Sequence, residues 1–192
     1  CIRDRLNTDG RGRYLGEFQG EDRILVVNKN GTYYTTDYDL SNHYEEGFSV
    51  IEKYEPEKVW SAVFFDAEQQ FYYLKRFRFE NVVRHTLFIG ETEGSYLVAL
   101  SGEKRPRFEV VFGGRYESRP AEVIVADEFI AEKSYKARGK RVTTYEVKQI
   151  NEIEPLDSGE EESEDTTSTD IDFEITNPDM LSDEAQMKLD FE

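Results

Sequence analysis

Residues 24–36 run Ile24-Leu25-Val26-Val27, Asn28-Lys29-Asn30-Gly31, Thr32-Tyr33-Tyr34-Thr35-Thr36. Two β-prone runs flank an Asn-Gly pair that tolerates the positive φ angles of a tight type I′ turn, so the spacing predicts a β-hairpin. A lone hairpin cannot bury its apolar face, which commits the rest of the chain to supplying neighbours. Such neighbours are present. Gln70-Phe71-Tyr72-Tyr73-Leu74-Lys75-Arg76-Phe77 can be laid over the hairpin with Tyr72 in register with Ile24, an interval of 72 − 24 = 48 residues. Self-similarity at that period points to blade-like units of four short strands.

Further strands are expected at residues 13–18, 49–54, 59–65, 71–79, 96–100, 108–112, 121–125 and 142–153. The run at 59–65, VWSAVFF, carries the one tryptophan, Trp60, and reads as an inner strand. In residues 71–79, Tyr73, Lys75 and Phe77 share one face, and Tyr72, Leu74, Arg76 and Arg78 the other. Residues 127–133 suit either one helical turn or a short strand. Residues 1–9 resemble the last strand of a preceding unit, and a chain opening at Cys1 in mid-pattern reads as the downstream part of a larger protein.

Charge divides the chain in two. Residues 1–150 hold 23 Lys and Arg against 25 Asp and Glu, a net of −2, whereas residues 151–192 hold 1 against 16, a net of −15. A near-neutral folded domain over residues 1–155 is therefore expected to carry an acidic tail, 156–192. With its Ser/Thr-rich acidic run, that tail cannot bury enough apolar area to offset ordering entropy and is expected to be disordered. One cysteine excludes an internal disulfide, two histidines give no metal-ligand spacing, and no apolar run is long enough for a bilayer span. A soluble intracellular protein is the default expectation, with no membrane partner.

Two basic clusters stand ahead of β-prone residues. Arg11-Gly12-Arg13 precedes the hairpin, and Lys136-Ala137-Arg138-Gly139-Lys140-Arg141 precedes Val142. Glycine lets the backbone approach a partner closely, and guanidinium forks suit phosphate. The competing view of each cluster is solvated surface charge. Acidic residues near His43 offer no defensible nucleophile and base arrangement, so an enzymatic reading ranks last.

The phrases GRYLGEFQGEDRILVVNKNGTYYTTDYDLSNHYEEGFSVIEKYEPEKVWSAVFFDAEQQFYYLKRF and SYKARGKRVTTYEVKQINEIEP together resemble the C-terminal domain of the A subunit of bacterial type IIA topoisomerases, gyrase or topoisomerase IV, of the Bacteroidetes type. The resemblance implies an all-β fold, a partial β-pinwheel of about three propeller-like blades, whose basic rim bends and wraps double-stranded DNA. It implies DNA contacts at Arg11, Arg13, Lys136, Arg138, Lys140 and Arg141, with Arg76 on a strand as a further candidate. No catalytic residue and no cofactor are expected within this chain. ATP and Mg2+, a topoisomerase B subunit and a second A subunit would engage other parts of a cytoplasmic, nucleoid-associated parent enzyme. The Gln-Arg-Arg-Gly-Gly-Lys-Gly box that marks gyrase is absent. A propeller-like protein-interaction module without a nucleic-acid role is the alternative. In the DNA reading, the acidic tail could compete for the basic rim as a tethered brake.

Overall fold

The computed structural model describes residues 4–5, 14–44 and 47–156. In chain order the strands are β1 (Asp4–Arg5), β2 (Ile24–Asn28), β3 (Thr32–Thr36), β4 (His43–Tyr44), β5 (Phe48–Lys53), β6 (Trp60–Asp66), β7 (Phe71–Phe77), β8 (Thr86–Leu87), β9 (Tyr96–Ser101), β10 (Arg107–Phe112), β11 (Glu122–Val125), β12 (Lys140–Arg141) and β13 (Val147–Ile153). A 3-10 turn at Gly114–Tyr116 and one helical turn, α1 (Ala126–Phe129), complete the described elements. The ambiguous segment after residue 126 thus starts as helix. No strand forms at residues 14–18, and the expected strand at 142–153 begins only at Val147. Among the described residues no helix is long and apolar enough to cross a membrane. The acidic residues 157–192 lie outside the described part.

Three antiparallel sheets repeat one plan. Their orders are β5-β2-β3-β8, β9-β6-β7-β12 and β13-β10-β11. In each, a hairpin forms the centre and a later strand of the same unit joins the hairpin's first strand. In the first two, a two-residue strand from the following unit then joins the hairpin's second strand. β8 comes after the β6–β7 hairpin yet pairs with β3, and β12 comes after the β10–β11 hairpin yet pairs with β7. β4 pairs backward with β1 in the same manner.

A register shift recurs at one place in each sheet, just after Val27, Val63 and Val111. Aligning those shifts gives unit spacings of 63 − 27 = 36 and 111 − 63 = 48 residues. The overlay of Tyr72 on Ile24 is therefore corrected, because it sets the second strand of one hairpin on the first strand of another. Both strands are rich in β-branched and aromatic residues, so composition alone cannot separate them.

The first hairpin also turns differently from expectation. Gly31 N–H donates to the Asn28 carbonyl at 3.0 Å, and in the turn only Gly31 has positive φ, +77°. This is a type I turn followed by a left-handed glycine, the three-residue form, and not type I′. Asn30 Oδ1 braces it by accepting from the Thr32 amide at 3.0 Å. A side chain at Gly31 would collide with the Ile89 side chain, so glycine also admits the segment that follows β8.

Side-chain alternation explains how the sheets stack. Leu25, Val27 and Tyr33 of the first sheet meet Trp60, Ala62, Phe64, Tyr73 and Phe77 of the second in one core. On the second sheet's other face, Val63 and Leu74 meet Phe108, Val110, Phe112 and Ile150 of the third. Ile24 and Val26 point away from the second sheet, into a smaller cluster with Tyr44 and Ile51. β2 and β6 are thus covered on both faces and read as nearly unbroken apolar runs. β10 alternates instead, and its far face carries Arg107 and Glu109 beside Gln149 and Asn151 of β13. That polar face closes the stack of described sheets.

Tyr44, 2% exposed, gives this packing a pH signature. Burial pushes its phenol up to about 12 from the usual 10. Below pH 10 the phenol is neutral in both states; above it the unfolded chain ionises first, so stability falls as pH rises through 10 to 12. The loss attributable to this group reaches about 2–3 kcal/mol. Urea midpoints across that range should show a shallower alkaline decline for Tyr44→Phe than for the parent chain.

Candidate nucleic-acid interface

The second sheet's outer edge is built by a segment that arrives from the third unit. Glu132 bridges Arg76, and Lys133 N–H donates to the Arg76 carbonyl at 2.9 Å. Further on, β12 pairs Lys140 with Leu74 and Arg141 with Tyr73, and Val142 N–H donates to the Tyr72 carbonyl at 2.9 Å. Between these anchors the chain turns, with Ala137 N–H donating to the Ser134 carbonyl at 2.9 Å. Gly139 re-enters the sheet at φ +93°, and a Cβ there would lie 2.5 Å from the Leu74 carbonyl oxygen. Only glycine combines that dihedral with that approach.

This loop brings Lys136, Arg138, Lys140 and Arg141 together, all four of them exposed. Aromatic faces support three of them: Lys136 over Tyr135 at 5.5 Å, Lys140 over Phe129 at 4.1 Å and Arg141 over Phe71 at 4.5 Å. In each it is the charged head that lies over the electron-rich ring face, an attraction compatible with an exposed position. Lys140 also donates to the Phe129 carbonyl at 3.2 Å. Arg138 lies at the outer limit of ion pairing, 3.8 Å from Glu68 and 4.0 Å from Asp66. By contrast Lys58 and Lys148 sit 2.6 and 2.8 Å from Glu52 and Glu117. Lys136, Lys140 and Arg141 have no carboxylate partner among the described residues.

Lys75 lies beneath the loop, 3% exposed. Its ammonium donates to the carbonyls of Phe88, Tyr135 (2.5 Å) and Ala137 (3.3 Å). The rings of Phe64, Phe77 and Phe88 surround it at 5.7, 4.9 and 5.6 Å. Burial pushes its pKa down to about 8, while the carbonyls favour the charged form. Phe88 directly follows β8, and Tyr135 and Ala137 precede β12. The neighbourhoods of two donated strands therefore meet at one nitrogen.

Of the residues singled out in the sequence, four are thus gathered on one loop. Arg76 is not displayed with them: it is half-buried, its Nη1 faces the Ile130 carbonyl at 3.5 Å, and its Nε is buried. Strand alternation places Arg76 on the face that packs toward the third sheet, as Leu74 does. Arg11 and Arg13 lie outside the described residues. Sequence reading passed over Arg84, which stands two residues before β8 as Arg138 stands two before β12, exposed between Val83 and His85. His85 stacks on Tyr34 with ring centroids 4.2 Å apart. The positional match becomes visible only once β8 and β12 are known to be equivalent, and neither two-residue strand has a pattern of its own.

No curated relative matches the chain. A solved structure described as the crystal structure of the C-terminal domain of DNA topoisomerase IV is similar with a TM-score of 0.46 and 12% identity, covering 72% of this chain and 48% of that one. The chain spans about half the length of that solved domain. The family described as topoisomerase C-terminal domain, Bacteroidota, matches residues 5–154, and the chain belongs to that family.

Proposed function

We propose that the edge carrying Lys136, Arg138, Lys140 and Arg141, continued by Arg84, binds the phosphates of double-stranded DNA and holds the duplex bent. In this reading the chain is the non-catalytic wrapping domain of a type IIA topoisomerase A subunit. The observation that carries it is the loop itself: four cations within six residues, three of them without carboxylate partners among the described residues and each of those three standing on an aromatic support. Each cation near a phosphate releases condensed counterions, and several along one edge offset a bending cost of about 1–6 kcal/mol for a site of 20–30 base pairs. Strand cleavage, ATP and Mg2+ use, and pairing with a B subunit and a second A subunit fall to other parts of the parent protein, acting in the cytoplasm on the nucleoid.

A salt titration of binding to two duplexes of unrelated sequence tests this. Equal affinities that fall steeply with salt are expected. The near-neutral charge of residues 1–150, −2, favours the protein-interaction alternative. Under that alternative neither duplex binds at any salt concentration.

A further inference from the structure

We propose that Lys75 is the positioning residue of the basic edge, holding the 134–139 loop and the segment after β8 in a fixed mutual arrangement. Its consequence for DNA rests on the function proposed above; its geometry does not.

An ammonium has three donors, and three converging carbonyls account for all of them. Nothing remains for a ligand, and no carboxylate among the described residues balances the charge, so the group serves neither as a binding site nor as half of an ion pair. The acceptors are distant in sequence from Lys75, by 13, 60 and 62 residues, and belong to two segments that each precede or follow a donated strand. Ser134 and Lys136 are exposed, and Tyr135 is the residue of that turn that reaches inward, its ring 5.7 Å from Tyr33. The Lys75 bonds therefore fix the backbone on both sides of Lys136 and immediately before Arg138. Arginine is a poor substitute, because its planar fork does not match three carbonyls converging on a point.

The test is a cycle of four full-length chains: the parent, Lys75→Met, the loop variant Lys136→Gln/Arg138→Gln/Lys140→Gln/Arg141→Gln, and the combination of all five changes. Duplex affinity and amide exchange are measured on each. Lys75→Met is expected to speed exchange at Ala137, whose N–H donates to the Ser134 carbonyl, about tenfold or more, with Val63 and Phe64 of β6 unchanged. In the parent it should weaken duplex binding about tenfold, the equivalent of one phosphate contact at about 0.1 M salt. In the loop variant it should weaken binding no further. Unchanged exchange in the loop, or the same affinity loss in both backgrounds, overturns the positioning role; the second outcome marks a general charge or stability effect. A loop variant that binds DNA like the parent refutes the DNA reading instead, and the exchange data then decide the role of Lys75 alone. Where Lys75→Met does not fold, Lys75→Gln, with two donors on a shorter arm, should give intermediate exchange, and parent-like exchange there overturns the proposal.

Discussion

Alanine in place of Gly139 is expected to cost about 2–4 kcal/mol of stability, far more than a surface substitution normally does. Two effects add. The left-handed backbone at φ +93° strains any residue with a Cβ, by about 1–2 kcal/mol. The new methyl would then sit 2.5 Å from the Leu74 carbonyl oxygen and 2.9 Å from the Lys75 Cβ, and a strand backbone cannot yield as a side-chain end can. β12 must lift away from β7, taking the Lys140–Leu74 and Arg141–Tyr73 pairs with it. Gly20→Ala is the control, since Gly20 also has positive φ, +54°, but a methyl there would meet nothing within 4 Å. Urea unfolding should show the Gly139 variant losing clearly more than the Gly20 variant; equal losses would mean that close approach to β7 contributes nothing.

The loop variant with four glutamines is expected to produce the largest change in DNA binding. Each phosphate contact contributes about 0.9 to the slope of log affinity against log salt, so four lost contacts flatten that slope by about 3.6. At about 0.1 M salt the same effect corresponds to a roughly thousandfold or greater loss of affinity. Stability should fall by at most about 3 kcal/mol, from three exposed cation–ring contacts at about 0.5–1 kcal/mol each, because three of the four cations make no ion pair among the described residues. A variant that keeps the parent's slope would show that these cations face no phosphate. The Arg76→Gln variant should leave the slope as it is, since that side chain faces the Ile130 carbonyl and not the open edge.

Strand positions are largely legible in the sequence because period-two alternation and turn residues are local signals. The inner strand at Trp60 and the two faces of residues 71–77 follow directly from them. Sheet membership is not legible in the same way. β8 and β12 are two-residue strands held by partners far away in the chain, at Tyr33 and Leu74, and no local pattern marks Thr86-Leu87 or Lys140-Arg141 as strand. The same blindness gives the wrong repeat register and hides Arg84. Lys75 illustrates a different limit. In sequence it is one more cation in a strand that alternates as expected, and only the convergence of carbonyls from two loops shows that it is buried and fully used. The Arg-Gly-basic phrase at residues 138–140, by contrast, marks a real local requirement, because Gly139 touches the β7 backbone.

On the proposed function, donated strands and their flanking loops form the DNA-facing edge. Amide exchange on the full chain, with and without a duplex of about 30 base pairs at low salt, addresses it most directly. Protection on binding is expected across residues 83–87 and 136–142, with the opposite edge strands β5, β9 and β13 unaffected. Protection confined to those opposite strands, or to the polar face of the third sheet at Glu109 and Asn151, would contradict it.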